Sequence, residues 1–199
     1  MNTSTLTRFT GRMRHSTLAL VILAAGASNT FAQDSHSHMD AGATPQAANA
    51  TGLLKIVREA TERFKDVHVA MAEGYALQFG CVSGSDSGAM GLHYVNAALV
   101  GAGILDPRRP QIVIYEPMPD GSLKLIGADY LVLANAWHAT HAETPEMMGQ
   151  LFHLFETPNR FGLPAFYTLH VWAWKDNPNG AFVNWHPQVT CDAFAGQNR

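Results

Sequence analysis

The fold is decided by residues 111–133, which read QIVIYEPMPDGSLKLIGADYLVL. Two apolar runs rich in β-forming residues, at positions 111–116 and 123–133, flank the sequence PMPDG. Pro, Asp and Gly favour tight turns, because Pro fixes φ near −65° and Gly accepts positive φ. The stretch therefore predicts a β-hairpin, and with it an antiparallel sheet.

Similar signals extend this sheet on both sides of the hairpin. Residues 91–96 (GLHYVN) and 166–174 (FYTLHVWAW) are each expected to form a strand. A turn at residues 176–180 is expected to lead into a short return strand over residues 181–185. Residues 82–91 are rich in Gly and Ser, which predicts a loop between the first helical region and the sheet.

Two segments carry helix signals. Apolar side chains recur at spacings of three, four and seven from position 54 to position 75, which predicts an amphipathic helix over residues 53–73. Thr144 and Pro145 match the N-cap and first helical position, which predicts a second helix to about residue 155. The fold class expected is α+β, with the N-terminal helix packed on a mainly antiparallel sheet and one inserted helix.

The N-terminal segment is typical of an export signal. Three arginines precede a ten-residue apolar run at positions 18–27, which is too short to span a bilayer. Thr30 and Ala32 are small residues suited to a peptidase site, so we expect cleavage near Ala32 and a periplasmic or extracellular location. Met13 is an alternative start, and an uncleaved N-terminal anchor is the competing interpretation.

These signals divide the chain into four parts. We expect a signal peptide at residues 1–32, a flexible His-containing leader at 33–50, a single α+β domain at 51–194 and a tail at 195–199. Without the three arginines of the predicted signal peptide, the exported chain keeps 10 basic and 16 acidic residues, a formal charge of −6. This composition makes nucleic acid a poor partner, and no other apolar run is long enough to cross a membrane.

Cys81 and Cys191 are the only cysteines. In an oxidising compartment they are expected to form a disulfide that closes a loop of 110 residues. The competing interpretation is a cysteine-containing metal site. Neither cysteine has a second Cys or a His within four residues, so the sequence favours the disulfide.

Three polar residues lie within strongly apolar strand sequence: His93, Asp129 and His170. Two imidazoles and a carboxylate are the ligands of open iron sites and of several zinc sites, so these residues predict a site for a divalent Zn, Fe, Mn or Cu ion. Glu116 is an alternative acid for the same site. The competing interpretation is structural, with each histidine donating to a backbone carbonyl and Asp129 capping a turn or pairing with an arginine.

Other histidines give weaker signals. His138 and His141 form an HxxH pair that we expect to lie at the surface. His36 and His38 in the leader could bind copper or zinc weakly. The glycines and serines match no phosphate-binding, dinucleotide or nucleophile motif.

A second hypothesis rests on aromatic residues in the strand region. They are expected to line a pocket for a small apolar or planar molecule. The residues are Tyr94, Tyr130, Trp172, Trp174 and Trp185.

Four segments resemble a widespread family of small exported bacterial and archaeal proteins. The first is MGLHYVN at residues 90–96, similar to an MGxHYxN pattern; the others are YEP at 115–117, DY at 129–130 and LHVWAWKDNPNGAF at 169–182. The resemblance covers roughly residues 64–192, and it implies an exported domain without implying a reaction. Family members often have Glu where this chain has Asp129, so the shorter acid is a departure from the pattern.

The sequence thus favours an exported domain that binds a metal ion through two histidines and one carboxylate. A non-catalytic small-ligand module with a Trp-lined pocket and an envelope interaction domain are the alternatives. Convergence of the three side chains would favour the first, an aromatic cavity the second, and a filled core with scattered histidines the third.

Overall fold

The computed structural model describes residues 45–196. The predicted signal peptide, most of the predicted leader and the last three residues of the predicted tail lie outside the described residues. The described part contains a six-stranded antiparallel sheet, a two-stranded sheet and several helices, so the α+β class and the mainly antiparallel sheet are confirmed. The sheet order is β1-β2-β3-β4-β8-β7, formed by Ala76–Gly84, Gly88–Val95, Ile112–Pro117, Leu123–Leu133, Phe166–Val171 and His153–Phe155.

The hairpin at residues 111–133 forms as predicted. Strands β3 and β4 pair antiparallel, with Ile112 opposite Asp129 and Pro117 opposite Leu123. Strand β8 then pairs with β4, and Asp129 lies directly opposite His170. This register brings two of the candidate ligands onto neighbouring strands.

The predicted loop at residues 82–91 is wrong except for the turn at 85–87, because its other residues belong to the paired strands β1 and β2. Glycines in this hairpin allow the backbone of other segments to come close to it. A Cβ on Gly91 would lie 2.6 Å from the Tyr115 carbonyl oxygen of the next strand, and Gly91 has φ +92°. Only glycine fits such a position, so the glycine-rich composition marks tight strand packing here.

The predicted inserted helix at residues 144–155 is also wrong. The segment forms β5 (Glu146–Met147), β6 (Gln150–Leu151) and the edge strand β7. Met148 and Gly149 have positive φ values of 50° and 79°, which a continuing α-helix does not allow. The Glu146 carboxylate accepts a hydrogen bond from the Gly149 amide and fixes this turn. The helix-start signal was therefore overridden by turn formation and by pairing with β8.

The first helical region differs from the predicted continuous helix at residues 53–73. Helix α1 spans Pro45–Thr61, a 3-10 turn spans Glu62–Lys65, and α2 spans Val67–Ala72. The break at residue 66 is capped, since the Asp66 carboxylate accepts from the His68 amide. The helix starts inside the segment expected to be a flexible leader. Leu53 and Val57 are fully buried in one apolar cluster with strand residues of β4 and β8.

Two shorter helices follow the sheet strands, α3 (Ala97–Ala102) and α4 (Ala134–His138). The strand predicted at residues 166–174 is shorter than expected, because β8 ends at Val171. The predicted return strand at 181–185 is absent from the described residues. The Trp172 indole N–H donates to the Val183 carbonyl, so this segment packs as an irregular loop over the Trp172 ring.

Cys81 and Cys191 form a disulfide, as predicted. Both residues are buried, and the bond attaches the C-terminal segment to strand β1. Within residues 45–196, no helix has the length and apolarity needed to cross a membrane.

Candidate metal centre

His93, Asp129 and His170 come together in the core from three different strands. They lie on β2, β4 and β8, and they are 5%, 3% and 2% exposed. Each side chain offers one ligand atom, and these atoms all lie within 4.8 Å of one another. The predicted two-histidine, one-carboxylate group therefore exists as a buried group that could hold a metal ion.

The approach of the two histidines requires a curled sheet. Strands β2 and β8 are three positions apart in the sheet order, which in a flat sheet would separate them by about 14 Å. Yet His93 Nε2 lies 3.4 Å from His170 Nε2. A register shift between Ile114 and Tyr115 on β3 adds to the twist of the strands between them, because bulges bend a sheet locally. The imidazoles meet on the concave face that this curl creates.

The tautomer of His93 follows from its backbone contact. His93 Nδ1 lies 3.2 Å from the Gly91 carbonyl oxygen. A carbonyl can only accept, so Nδ1 carries the proton and donates. The Nε2 atom then presents its lone pair toward His170. Contacts of this kind orient the histidines of many metal sites.

His170 differs from His93, because the Nδ1 atom of His170 has no hydrogen-bond partner. Two buried side-chain atoms of residues 48–196 are in this situation, His170 Nδ1 and Asn184 Oδ1. The Asn184 side chain is close enough to act on the pKa of His170 as a hydrogen-bonding group, although the two do not meet the geometry of a formed hydrogen bond. An imidazole nitrogen and an amide oxygen, both without a hydrogen-bond partner, therefore lie near each other beside the candidate site.

The Asp129 carboxylate accepts a hydrogen bond from the neighbouring strand β8. Its Oδ1 accepts a 2.5 Å hydrogen bond from the Thr168 hydroxyl and lies 3.7 Å from His170 Nδ1. Burial raises the pKa of this carboxyl to about 6, and the Thr168 bond opposes the rise. A buried carboxylate is costly without a compensating positive charge.

Burial lowers the pKa of both imidazoles. The pKa of His93 falls to about 4, with nearby His170 contributing after burial, and the pKa of His170 falls to about 3, with His153 contributing after burial. Both rings are consequently neutral at physiological pH. Neutral imidazole is the form that can coordinate a metal ion.

The metal-free protein is expected to lose stability as the pH falls from about 6.5 to about 4. The pKa values of the two histidines are lower in the folded protein than in the unfolded chain. As the pH falls, the unfolded chain therefore takes up protons first and is stabilised relative to the folded protein. Asp129 acts oppositely, because its raised pKa contributes stability at low pH that is lost as the pH rises through about 6. Two histidines outweigh one carboxylate, and we expect a net loss on the order of 3 kcal/mol.

Urea unfolding at pH 7 and pH 4.5 with a chelator present measures this loss. A His170→Gln variant should lose less stability over the same interval, whereas His141→Ala, at an exposed histidine, should behave like wild type. Equal losses in wild type and His170→Gln would contradict the expectation.

A small cavity adjoins the three ligands. Its volume is about 20 Å³, which is enough for the centre of one water-sized molecule. Its polar lining is His93, Asp129, Thr168 and His170, and its other lining residues are apolar: Phe79, Met90, Ile112, Leu131, Phe155, Phe161, Leu163 and Phe166.

Glu116, the alternative acid, lies apart from this group. Its two carboxylate oxygens accept from Lys175 Nζ at 2.7 and 2.8 Å. Lys175 also donates to the Gln188 carbonyl, so the ion pair anchors the C-terminal segment. Asp129 is the acid that the structure brings to the two histidines.

The five aromatic residues proposed for a pocket lie in separate environments. Tyr94 packs edge-to-face on Tyr115, and the Tyr130 hydroxyl donates to the Pro107 carbonyl. The Trp172 indole donates to the Val183 carbonyl, and that of Trp174 to the Thr61 hydroxyl. Trp185 lies beneath the Arg160 guanidinium. None of these five described residues lines the cavity beside the histidines, which gives the Trp-pocket hypothesis no support.

The HxxH pair has its own local partners. His138 Nε2 lies 2.9 Å from the Tyr167 hydroxyl, and the His141 ring stacks on Trp137 at 3.8 Å. The two histidines are exposed, as predicted. His36 and His38 lie outside the described residues.

Several residues around the site were not among those predicted from the sequence. Thr168 could have been found, because it is two positions before His170 and so shares its strand face. Asn184 and the cavity phenylalanines had no local signal, since they approach the site only through tertiary contacts.

Comparison of the chain with protein-family models, with curated proteins and with solved structures finds no significant match. The site is consequently defined by its own geometry: a buried two-histidine, one-carboxylate group on the concave face of a curled antiparallel sheet.

Proposed function

We propose that this protein is an exported metal-binding domain, in which His93, His170 and Asp129 hold one divalent ion. The observation that carries the proposal is the 3.4 Å separation of the two Nε2 atoms. Two imidazoles on one tetrahedral ion, each at about 2.05 Å, place their nitrogens about 3.3 Å apart. The imidazoles therefore already have the separation that such an ion requires.

The hydrogen bonding of the two rings also favours a cation. His93 presents a lone pair from Nε2, since its Nδ1 donates to Gly91. If His170 carries its proton on Nδ1, two lone pairs face each other in the core. If it carries the proton on Nε2, its Nδ1 lone pair faces the Asp129 carboxylate at 3.7 Å. Either neutral tautomer leaves two buried acceptors opposed, and a bound cation removes the conflict.

In this arrangement both rings coordinate through Nε2, and each Nδ1–H has an oxygen acceptor nearby. The Gly91 carbonyl serves His93, and the unpaired Asn184 Oδ1 is the acceptor available to His170. Such outer partners fix the ring orientation, and their loss typically costs 10–100-fold in metal affinity.

The donor set suits zinc, iron, manganese or copper, because imidazole and carboxylate ligands are shared among these ions. Three protein ligands leave at least one coordination position free. An ion held in this way polarises a bound water or a small substrate.

Export is part of the same proposal. A disulfide persists in oxidising compartments, and Cys81–Cys191 is buried in the domain. The signal-peptide pattern at residues 1–32 and the resemblance to a family of small exported proteins agree with this location. We place the cleavage near Ala32.

The proposal is tested by titrating the purified protein with Co²⁺ and following its visible absorption. Wild type is expected to develop ligand-field bands that saturate at one ion per chain. Asn184→Ala should need about 10–100-fold more Co²⁺ to reach the same bands, because His170 loses its Nδ1 partner. Asn179→Ala, at an exposed asparagine, is the matched control and should titrate like wild type.

Two outcomes would contradict this account. Wild-type protein that develops no bands would exclude the site, and equal titrations of wild type and Asn184→Ala would remove Asn184 from it.

A further inference from the structure

Four phenylalanines separate the candidate metal centre from the surface. The ring centroids of Phe79 and Phe161 are 5.4 Å apart, and those of the stacked Phe155 and Phe166 are 5.1 Å apart. The Phe161 centroid lies 6.0 Å from those of both Phe155 and Phe166. All four line the cavity that reaches His93 and His170. We call these four residues the phenylalanine collar. Phe166 is buried, whereas the other three are half-buried and therefore form its outer side.

Phe79 holds its place in the collar through an unusual backbone conformation. Its φ is +66°, in the left-handed region that bulky residues rarely adopt. It lies in the register shift of β1 between Gln78 and Cys81, and Cys81 is fixed by the disulfide. Strained backbone of this kind persists only where neighbouring structure enforces it, and it concentrates at ligand sites. The conformation directs the Phe79 ring to the cavity wall.

The cavity limits what can reach the ligands. Its 20 Å³ is the space open to the centre of a water-sized sphere, which fits one water or a slender molecule of two or three heavy atoms. Its lining beyond the four polar residues is entirely hydrocarbon or thioether. A larger molecule would have to displace collar rings that pack on one another. A small molecule needs only to shed its water, which costs least when it has few polar atoms.

We propose that the open coordination position of the metal ion inferred above takes ligands of at most three heavy atoms, and that the phenylalanine collar excludes larger ones. The ligand class is then water and the smallest substrates, such as dioxygen or formate. The inference presupposes the metal site of the proposed function, and it adds the size of molecule that the site accepts.

The test uses formate and benzoate, which share a carboxylate donor and a charge but differ in size. Co²⁺-loaded wild-type protein is expected to change its absorption with formate and not with benzoate. Phe79→Gly removes the ring, and glycine accepts the positive φ without strain. This variant should bind benzoate at least ten times more tightly than wild type while keeping its formate response.

Phe161→Ala opens the other side of the same contact and serves as the second variant. Leu154→Ala is the control, because Leu154 is exposed on β7 and does not line the cavity. It should match wild type with both ligands.

Benzoate binding to wild type as tightly as to both collar variants would overturn the size filter. A normal Co²⁺ spectrum that formate leaves unchanged would overturn the open position while sparing the metal site. Absence of the Co²⁺ spectrum itself would overturn the metal site, and this inference with it.

Discussion

Replacing His170 with alanine is expected to abolish the stabilisation that a divalent metal ion gives the wild-type protein. In the proposed site the ion binds only the folded chain, so it should stabilise the native state by mass action, by about 2.7 kcal/mol at a hundredfold excess over the dissociation constant. Without the His170 imidazole, only two of the three ligands remain in the core. The melting temperature of the variant should then be the same with metal and with chelator.

His141→Ala is the control for this measurement. His141 is exposed and stacked on Trp137, away from the site, so its loss should leave the metal-dependent rise intact. The structural interpretation of His170 makes the opposite forecast. If the ring acts only by packing and hydrogen bonding, His170→Ala destabilises the protein equally with and without metal.

Replacing both Cys81 and Cys191 with alanine is expected to lower the melting temperature by about 8–20 °C. The disulfide closes a loop of 110 residues. In the chain-entropy model, such a cross-link stabilises the folded state by about 4–5 kcal/mol. For a domain of this size, each kcal/mol corresponds to about 2–4 °C. Calorimetry of wild type and the double variant, both without metal, measures the difference.

Denaturant unfolding provides an independent check on the disulfide. The variant should show a larger dependence of the unfolding free energy on urea concentration, because its unfolded chain is no longer constrained and exposes more surface. A fall in melting temperature below about 3 °C would contradict the expected role of the bond.

The central hairpin could be predicted because its information is local. Residues 111–133 contain two β-rich runs and a turn sequence, and strands β3 and β4 follow them within a residue or two. The three ligands could be found for a related reason. A histidine or aspartate inside an apolar strand has few ways to be satisfied, so the sequence marks it before the fold is known.

The errors have a common physical origin in long-range contacts. Gly88 looked like a loop residue, yet its missing side chain permits the close approach of the His186 carbonyl. Thr144 and Pro145 looked like a helix start, yet the following chain turns at Met148 and pairs with β8. Neither contact leaves a trace in the local sequence.

The geometry of the site could not be predicted from the sequence, for the same reason. The closeness of His93 and His170 depends on how strongly four strands curl, and Asn184 reaches the site from an irregular loop. Residue types and strand periodicity predict which side chains are candidates. Their separation of 3.4 Å comes only from the assembled sheet.

The most direct test of the metal site is a calorimetric titration of Zn²⁺, Cu²⁺, Mn²⁺ and, without oxygen, Fe²⁺ into metal-free protein. His36 and His38 should be replaced by alanine in all samples, so that the leader does not bind the titrant. We expect at least one of these ions to bind with a stoichiometry of one and a heat that His170→Ala removes. Heats no greater than those of buffer for all four ions, in a folded protein, would contradict the account.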